Sequence, residues 1–212
     1  MKQAKHKRKL LLTLFITAFC FTGAFAQEGL FQFSKIYFRS NPFTGNFSSF
    51  LHHLLNDPSL LEKETQKRTD TSLFYFSGLY KTYNPFFFKP KKVQILLQEA
   101  AVNYGDSLAN DTIFIYQLVA YADGTEKGEQ EVKREFEKIH RVFNKKFYNS
   151  NYEDLTNGES SGGVHNYFVA YSTLAPATII WTKLNNEFVL NITLRFKTSE
   201  NRAVLAASLY NP

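Results

Sequence analysis

The 212-residue chain carries 25 basic and 19 acidic residues, a formal charge of +6, yet five of the basic residues and none of the acids lie among the first nine positions. Without that segment the charge falls to about +1, too little to attract nucleic acid or an anionic membrane through a global field. The only Cys and the only Met, Cys20 and Met1, lie within the first 26 residues, so the remainder offers no disulfide, thiol nucleophile or Cys-based zinc site.

Residues 1 to 26 read as a cleavable export signal. Lys2, Lys5, Lys7, Arg8 and Lys9 form a basic head, and Leu10 to Phe21 an apolar run broken only by Thr13 and Thr17. That run falls well short of the roughly 20 residues a membrane-spanning helix needs, and Ala24-Phe25-Ala26 supplies the small-x-small pattern of a cleavage site. Cleavage is expected before Gln27, which places the mature chain in the periplasm or outside the cell with no transmembrane segment. An uncleaved anchor is disfavoured by the short run. Acylation at Cys20 is disfavoured by Phe19, which stands where a small residue is expected.

Residues 27 to 212 are the size of one domain and hold 18 Phe, 12 Tyr and one Trp. Asn41-Pro42 reads as an N-cap followed by Pro at the first helical position; Phe43, Phe47, Phe50, Leu51 and Leu54 then recur at helical spacing until Asp57-Pro58. Leu60 to Asp70 is charged and reads as a solvated connection. Ser72 to Tyr80 reads as a strand with a bulge at Gly78, Val93 to Val102 as a strand that also fits helical spacing, and Thr112 to Ala122 as a strand between the turn signals Asn110-Asp111 and Asp123-Gly124.

The second half repeats helix and then strands. Val132, Phe136, Ile139, Phe143 and Phe147 form one stripe, with acids three or four positions ahead of bases on the other side. Asn149 to Gly163 is polar and glycine-containing, and reads as a loop. Strands follow near Val164 to Ser172, Ala177 to Leu184, Glu187 to Lys197 and Ala203 to Tyr210, with Asn185-Asn186 as a two-residue hairpin turn. In the third of these, Phe188, Leu190, Ile192, Leu194 and Phe196 alternate with polar residues. The expected fold is α+β: an antiparallel sheet of about seven strands covered on one face by two main helices, an order compatible with a duplicated α-β-β-β unit.

Candidate chemistry is sparse. His52 and His53 are adjacent on a helix and point about 100° apart, which disfavours a shared metal. His140 flanks the apolar stripe of the second helix and reads as a hydrogen-bonded boundary residue. His165 follows the glycine-rich stretch, and Glu159, Ser160 or Ser161 lie close enough in sequence to suggest a small hydrolase; no nucleophile-elbow, zinc-protease or phosphate-loop motif accompanies them. No catalytic set, metal site or cofactor is therefore assigned.

The segment from Tyr75 to Lys92 interleaves rings with lysines, and three consecutive Phe between Pro85 and Pro90 cannot all enter one core, because successive extended residues alternate sides. Tyr80, Tyr83, Phe86, Phe87, Phe88 and Lys89 are the candidate binding residues. The expected function is an exported, non-enzymatic module that binds a protein, a glycan or an apolar ligand outside the cytoplasm and does not bind nucleic acid. The other readings are the loop-serine hydrolase with His165 and a carrier that encloses an apolar ligand.

Overall fold

The computed structural model describes residues 28–69, 72–103, 110–156, 161–169 and 174–197; the expected export signal and the expected strand Ala203 to Tyr210 lie outside the described residues. The order is α1 (28–37), α2 (Phe47–Leu55), β1 (Leu60–Gln66), β2 (Tyr75–Tyr80), β3 (Lys92–Asn103), β4 (Asn110–Asp123), α3 (Glu126–Phe143), a 3-10 turn (Asn144–Lys146), β5 (Asn149–Asp154), β6 (Gly162–Phe168), β7 (Ala177–Leu184) and β8 (Glu187–Phe196). The eight strands form one antiparallel sheet in the order β1-β2-β3-β4-β8-β7-β6-β5. This is the α+β architecture expected from helices inserted between groups of hairpins. Each half is a helical segment followed by a four-stranded meander, so the repeating unit has one more strand than the α-β-β-β order suggested. The halves join through β4 and β8, paired from Phe114↔Phe196 to Asp123↔Glu187.

Alternation places Tyr116, Leu118 and Ala120 of β4 and Leu190, Ile192 and Leu194 of β8 on the face covered by the helices, and all six are fully buried. Phe38, just past α1, and Phe50 of α2 put their rings 4.6 and 5.3 Å from that of Tyr116, while Phe33 of α1 meets Phe143 of α3 edge-on at 4.8 Å. The core is thus a layer of interlocked rings between helices and sheet.

Four elements depart from the sequence reading. The first helix was expected to start at Asn41-Pro42, but Asn41 instead makes an Asx turn, its Oδ1 accepting from the Phe43 N–H at 2.8 Å. Gly45 at φ 77° then breaks the path, and the helix starts where Asn46 Oδ1 accepts from the Ser49 N–H at 2.8 Å. The connection expected over Leu60 to Asp70 contains β1, and the loop expected over Asn149 to Gly163 contains β5 and the first residues of β6. Both unforeseen strands are sheet edges, whose exposed polar side chains guard against pairing with other chains and erase the alternation that reveals an inner strand. Helix α1 was not foreseen either, although Leu30, Phe33 and Tyr37 are buried at helical spacing.

Gly78 is not a bulge, since β2 and β3 pair without a break from Tyr75↔Gln98 to Tyr80↔Val93. The irregularity lies on the neighbouring strand, between Leu61 and Glu64, where Glu62 takes φ 48°. Asn185 and Asn186, at φ 47° and 63°, close the β7–β8 hairpin as expected. Thr125 caps α3 by accepting from the Gly128 N–H, and Glu129 pairs with Lys133 one turn on at 2.7 Å. The helix ends at Phe143, so Phe147 enters the core from beyond it.

Candidate functional site

The connection between β2 and β3 carries the aromatic segment. Asn84 braces it from both sides: its Oδ1 accepts from the Phe86 N–H and its Nδ2 donates to the Phe88 carbonyl, each at 2.9 Å. The alternation of three consecutive rings follows from this bracing. Phe86 and Phe88 are 6% and 9% exposed and turn inward, with centroids 5.7 Å apart and Phe86 stacked on Tyr37 of α1 at 6.2 Å. Phe87, between them, is 79% exposed. Of the other candidates, Tyr80 is buried and Tyr83 leans on it at 4.9 Å, while Lys89 is exposed. The candidate set therefore divides into a core group of Tyr80, Phe86 and Phe88, a half-buried Tyr83, and a surface pair of Phe87 and Lys89.

Helix α3 holds the exposed ring from below. The Phe87 N–H donates to Glu135 Oε2 at 3.3 Å, and the Lys138 ammonium lies over the Phe87 ring. Glu135 sits on the buried side of α3 although it is a carboxylate, its Oε1 has no partner among the described residues, and burial pushes its carboxyl above the usual range despite the Phe87 N–H and Lys138, which act the other way. A carboxyl whose proton is held more tightly by the fold than by the unfolded chain contributes more stability as pH falls. Glu135→Gln, which keeps an acceptor for Phe87, is therefore expected to raise the thermal midpoint at pH 7, with a gain that shrinks toward pH 4; scanning calorimetry across that range measures it.

The second constellation joins α3 to β6. The rings of His140 and His165 stack with centroids 3.7 Å apart and 8° between planes. Phe136 stacks on His165 at 4.8 Å, Tyr152 of β5 approaches it at 4.9 Å, and the Tyr167 hydroxyl meets His140 Nδ1 at 3.3 Å, the boundary hydrogen bond expected for His140. Ring nitrogens bind a metal in the plane of the ring, so two parallel rings cannot direct their lone pairs at one ion. Among the described residues no other group of His, Cys, Asp and Glu is arranged to hold a metal.

Burial, with the neighbouring His140 second, lowers the pKa of His165 to about 4, against a smaller opposing contribution from the Asn151 backbone; burial lowers that of His140 as well. A neutral imidazole that is 7% exposed and this weakly basic is poorly matched to proton abstraction near neutrality. Ser161 lies four residues from His165 along the extended chain, roughly 13 Å away, and its carbonyl accepts from the Lys183 N–H. Glu159 and Ser160 lie outside the described residues.

Two clefts open beside the helices. One of about 380 Å³ is lined by Phe47, Leu51, Phe74, Phe114 and Thr112, and its two charges, Arg68 and Glu99, are paired with each other. The other, of about 490 Å³, lies between α1 and α2. Sequence reasoning missed Glu135 and Lys138, which hold Phe87 across 48 and 51 positions, and no local pattern signals such anchors. No family model matches the chain, and neither a curated protein nor a solved structure shows significant similarity to it.

Proposed function

We propose that the chain is an exported, non-enzymatic binding module that engages its partner through Phe87 and the lysine-flanked connection between β2 and β3. The observation that carries this reading is an apolar ring 79% exposed on a braced backbone, between two buried rings. Binding surfaces draw most of their energy from a few aromatic and basic residues, and an anchor already ordered in the free protein loses little entropy on capture. Lys91 and Lys92 are engaged with Glu187, whereas Lys81 and Lys89 have no acidic partner among the described residues and remain to meet one on the partner. A protein surface with an apolar pocket and an acidic rim fits this pattern best. The interior, filled by interlocked rings, favours surface capture over enclosure of an apolar ligand.

The test is retention of components from the producing cell's envelope and medium on the immobilised chain and on Phe87→Ser, both shown to be folded by circular dichroism. A component retained by the first and lost from the second is expected. Equal retention by both, or none by either, overturns the reading.

A further inference from the structure

The face of the sheet away from the helices carries a charge that the fold leaves unanswered. Alternation sends Asn191, Thr193 and Arg195 of β8, Thr178 and Ile180 of β7, and Asn166 and Phe168 of β6 to this side, and the described helices all pack on the other. Register sets Thr178 between Thr193 and Asn166, so three strands bring these side chains into one patch. Arg195 is half-buried there, and burial lowers its pKa with no carboxylate beside it among the described residues. Its Nη1 donates to the Thr178 hydroxyl at 2.6 Å and to the Ala175 carbonyl at 3.2 Å, which fixes the guanidinium. Asp123 and Glu187, at the opposite end of the β4–β8 pair, are both taken by Lys91.

An independent observation is the fixed orientation of the amides around it. The Thr178 hydroxyl donates to Asn166 Oδ1 at 2.9 Å and the Thr193 hydroxyl to Asn191 Oδ1 at 3.2 Å, so both Nδ2 groups point away from the hydroxyls that hold them. Gln117 Nε2 donates to Thr193 at 3.4 Å, which leaves Gln117 Oε1 as an acceptor. Thr178 and Thr193 are almost fully buried and act as struts. The Nε and second Nη of Arg195 and the Nδ2 groups of Asn166 and Asn191 have no partner among the described residues, and unlike the orphaned Tyr80 and Tyr116 hydroxyls of the core they are not enclosed. Donors set in place before a ligand arrives lose little entropy on capture.

We propose that this face binds an acidic oligosaccharide, its carboxylate held by the open edge of Arg195 and its hydroxyls by the Asn166, Asn191 and Gln117 amides. A guanidinium presents parallel N–H groups that match a carboxylate bidentately, and a charge partly removed from water gains more from an opposite charge than a solvated one does. The patch runs roughly 13 Å along β8 from Asn191 to Arg195 and roughly 10 Å across from β8 to β6, more than a single carboxylate ion can use. Hydroxyls both donate and accept, which suits a surface that presents amide N–H groups together with an amide oxygen. An extended peptide would seek backbone partners, and those of the inner strands are used within the sheet. Phe168 and Ile180, both half-buried, add apolar contact for the faces of sugar rings. Phe87 lies on the helix side of the sheet, so the two sites stand or fall separately.

The experiment is a titration of the isotopically labelled chain with trigalacturonate, maltotriose and acetate, followed by amide chemical shifts. Trigalacturonate is expected to saturate with shifts centred on β6, β7 and β8, to bind at least tenfold more tightly than either other probe, and to weaken as salt is raised. Arg195→Gln is expected to weaken it at least tenfold, whereas Arg134→Gln, which makes the same charge change on the exposed side of α3, leaves it unchanged. Asn191→Asp keeps the shape and the acceptor for Thr193 but puts a negative charge in the patch, so it tests the site with Arg195 in place and is expected to weaken binding by a similar factor. Absence of saturation, equal affinity for the three probes, equal loss in Arg195→Gln and Arg134→Gln, or unchanged affinity in Asn191→Asp overturns the proposal.

Discussion

Phe86→Ala is expected to lower the unfolding free energy by about 3–5 kcal/mol, while Phe87→Ala, one residue away, leaves it within about 0.5 kcal/mol of the parent. The difference comes from what each ring touches. The Phe86 side chain stacks on Tyr37 and packs beside Phe88, so its removal leaves a cavity at the junction of α1 with the β2–β3 connection, where Asn84 prevents the backbone from collapsing into the space. The Phe87 ring meets Lys138 on one face, and the backbone bond to Glu135 survives its loss, since that bond uses the N–H. In a thermal melt the first substitution corresponds to a drop on the order of 10 °C for a chain of this size. Similar losses from both would place Phe87 in the core and remove the basis for its role in binding. A neutral Phe86→Ala would show that the connection is not docked on α1.

How much of this was readable beforehand depends on where each residue sits in the sheet. The inner strands β4, β7 and β8 declared themselves because one face meets the helices: Phe188, Leu190, Ile192, Leu194 and Phe196 alternate with Asn191, Thr193 and Arg195. Even so, the polar side of β8 is not simply wet. Thr193 is almost fully buried, and Arg195 reaches across to Thr178, whose hydroxyl donates to Asn166, so a hydrogen-bonded row crosses β8, β7 and β6 on the face away from the helices. The edge strands β1 and β5 gave no such signal, because an edge is kept polar on both sides to prevent pairing. In the aromatic segment, alternation required that at least one ring of Phe86 to Phe88 reach the surface. Which ring it is depends on Asn84, four residues before Phe88, and on Glu135, which only the docking of α3 brings near. The stacking of His140 on His165 was likewise hidden, because it needs both the phase of α3 and the inward side of β6.

That stack sets the second large effect, a loss of stability in mild acid. The free histidine side chain titrates near 6.5, and His165 in the fold near 4. Between those values the unfolded chain takes up a proton that the folded chain refuses, so the contribution of His165 is fully present above pH 6.5 and is lost as pH falls toward 4. At about 1.4 kcal/mol per unit, this amounts to about 3 kcal/mol, on a side chain buried well enough that solvent screening takes little away. His140, also lowered by burial, adds in the same direction. The physical cause is the geometry: among the described residues His165 Nδ1 has no partner to stabilise an imidazolium, and the neighbouring ring at 3.7 Å makes a second charge costlier than the first. Glu135 acts with the opposite sign, and Asp154, whose carboxyl is lowered by its bonds to Thr156, loses its contribution only below the histidine window. His165→Phe separates the contribution of His165 from those of the other groups. It keeps a flat ring between Phe136 and His140, so the stability at pH 7.5 is expected to stay within about 1.5 kcal/mol of the parent. Between pH 6.5 and 4.5, denaturant titrations should show a distinctly shallower decline in the variant. Parallel curves would mean that His165 is protonated in the folded chain as readily as in the unfolded one, and the buried stack would then not be the source of acid sensitivity.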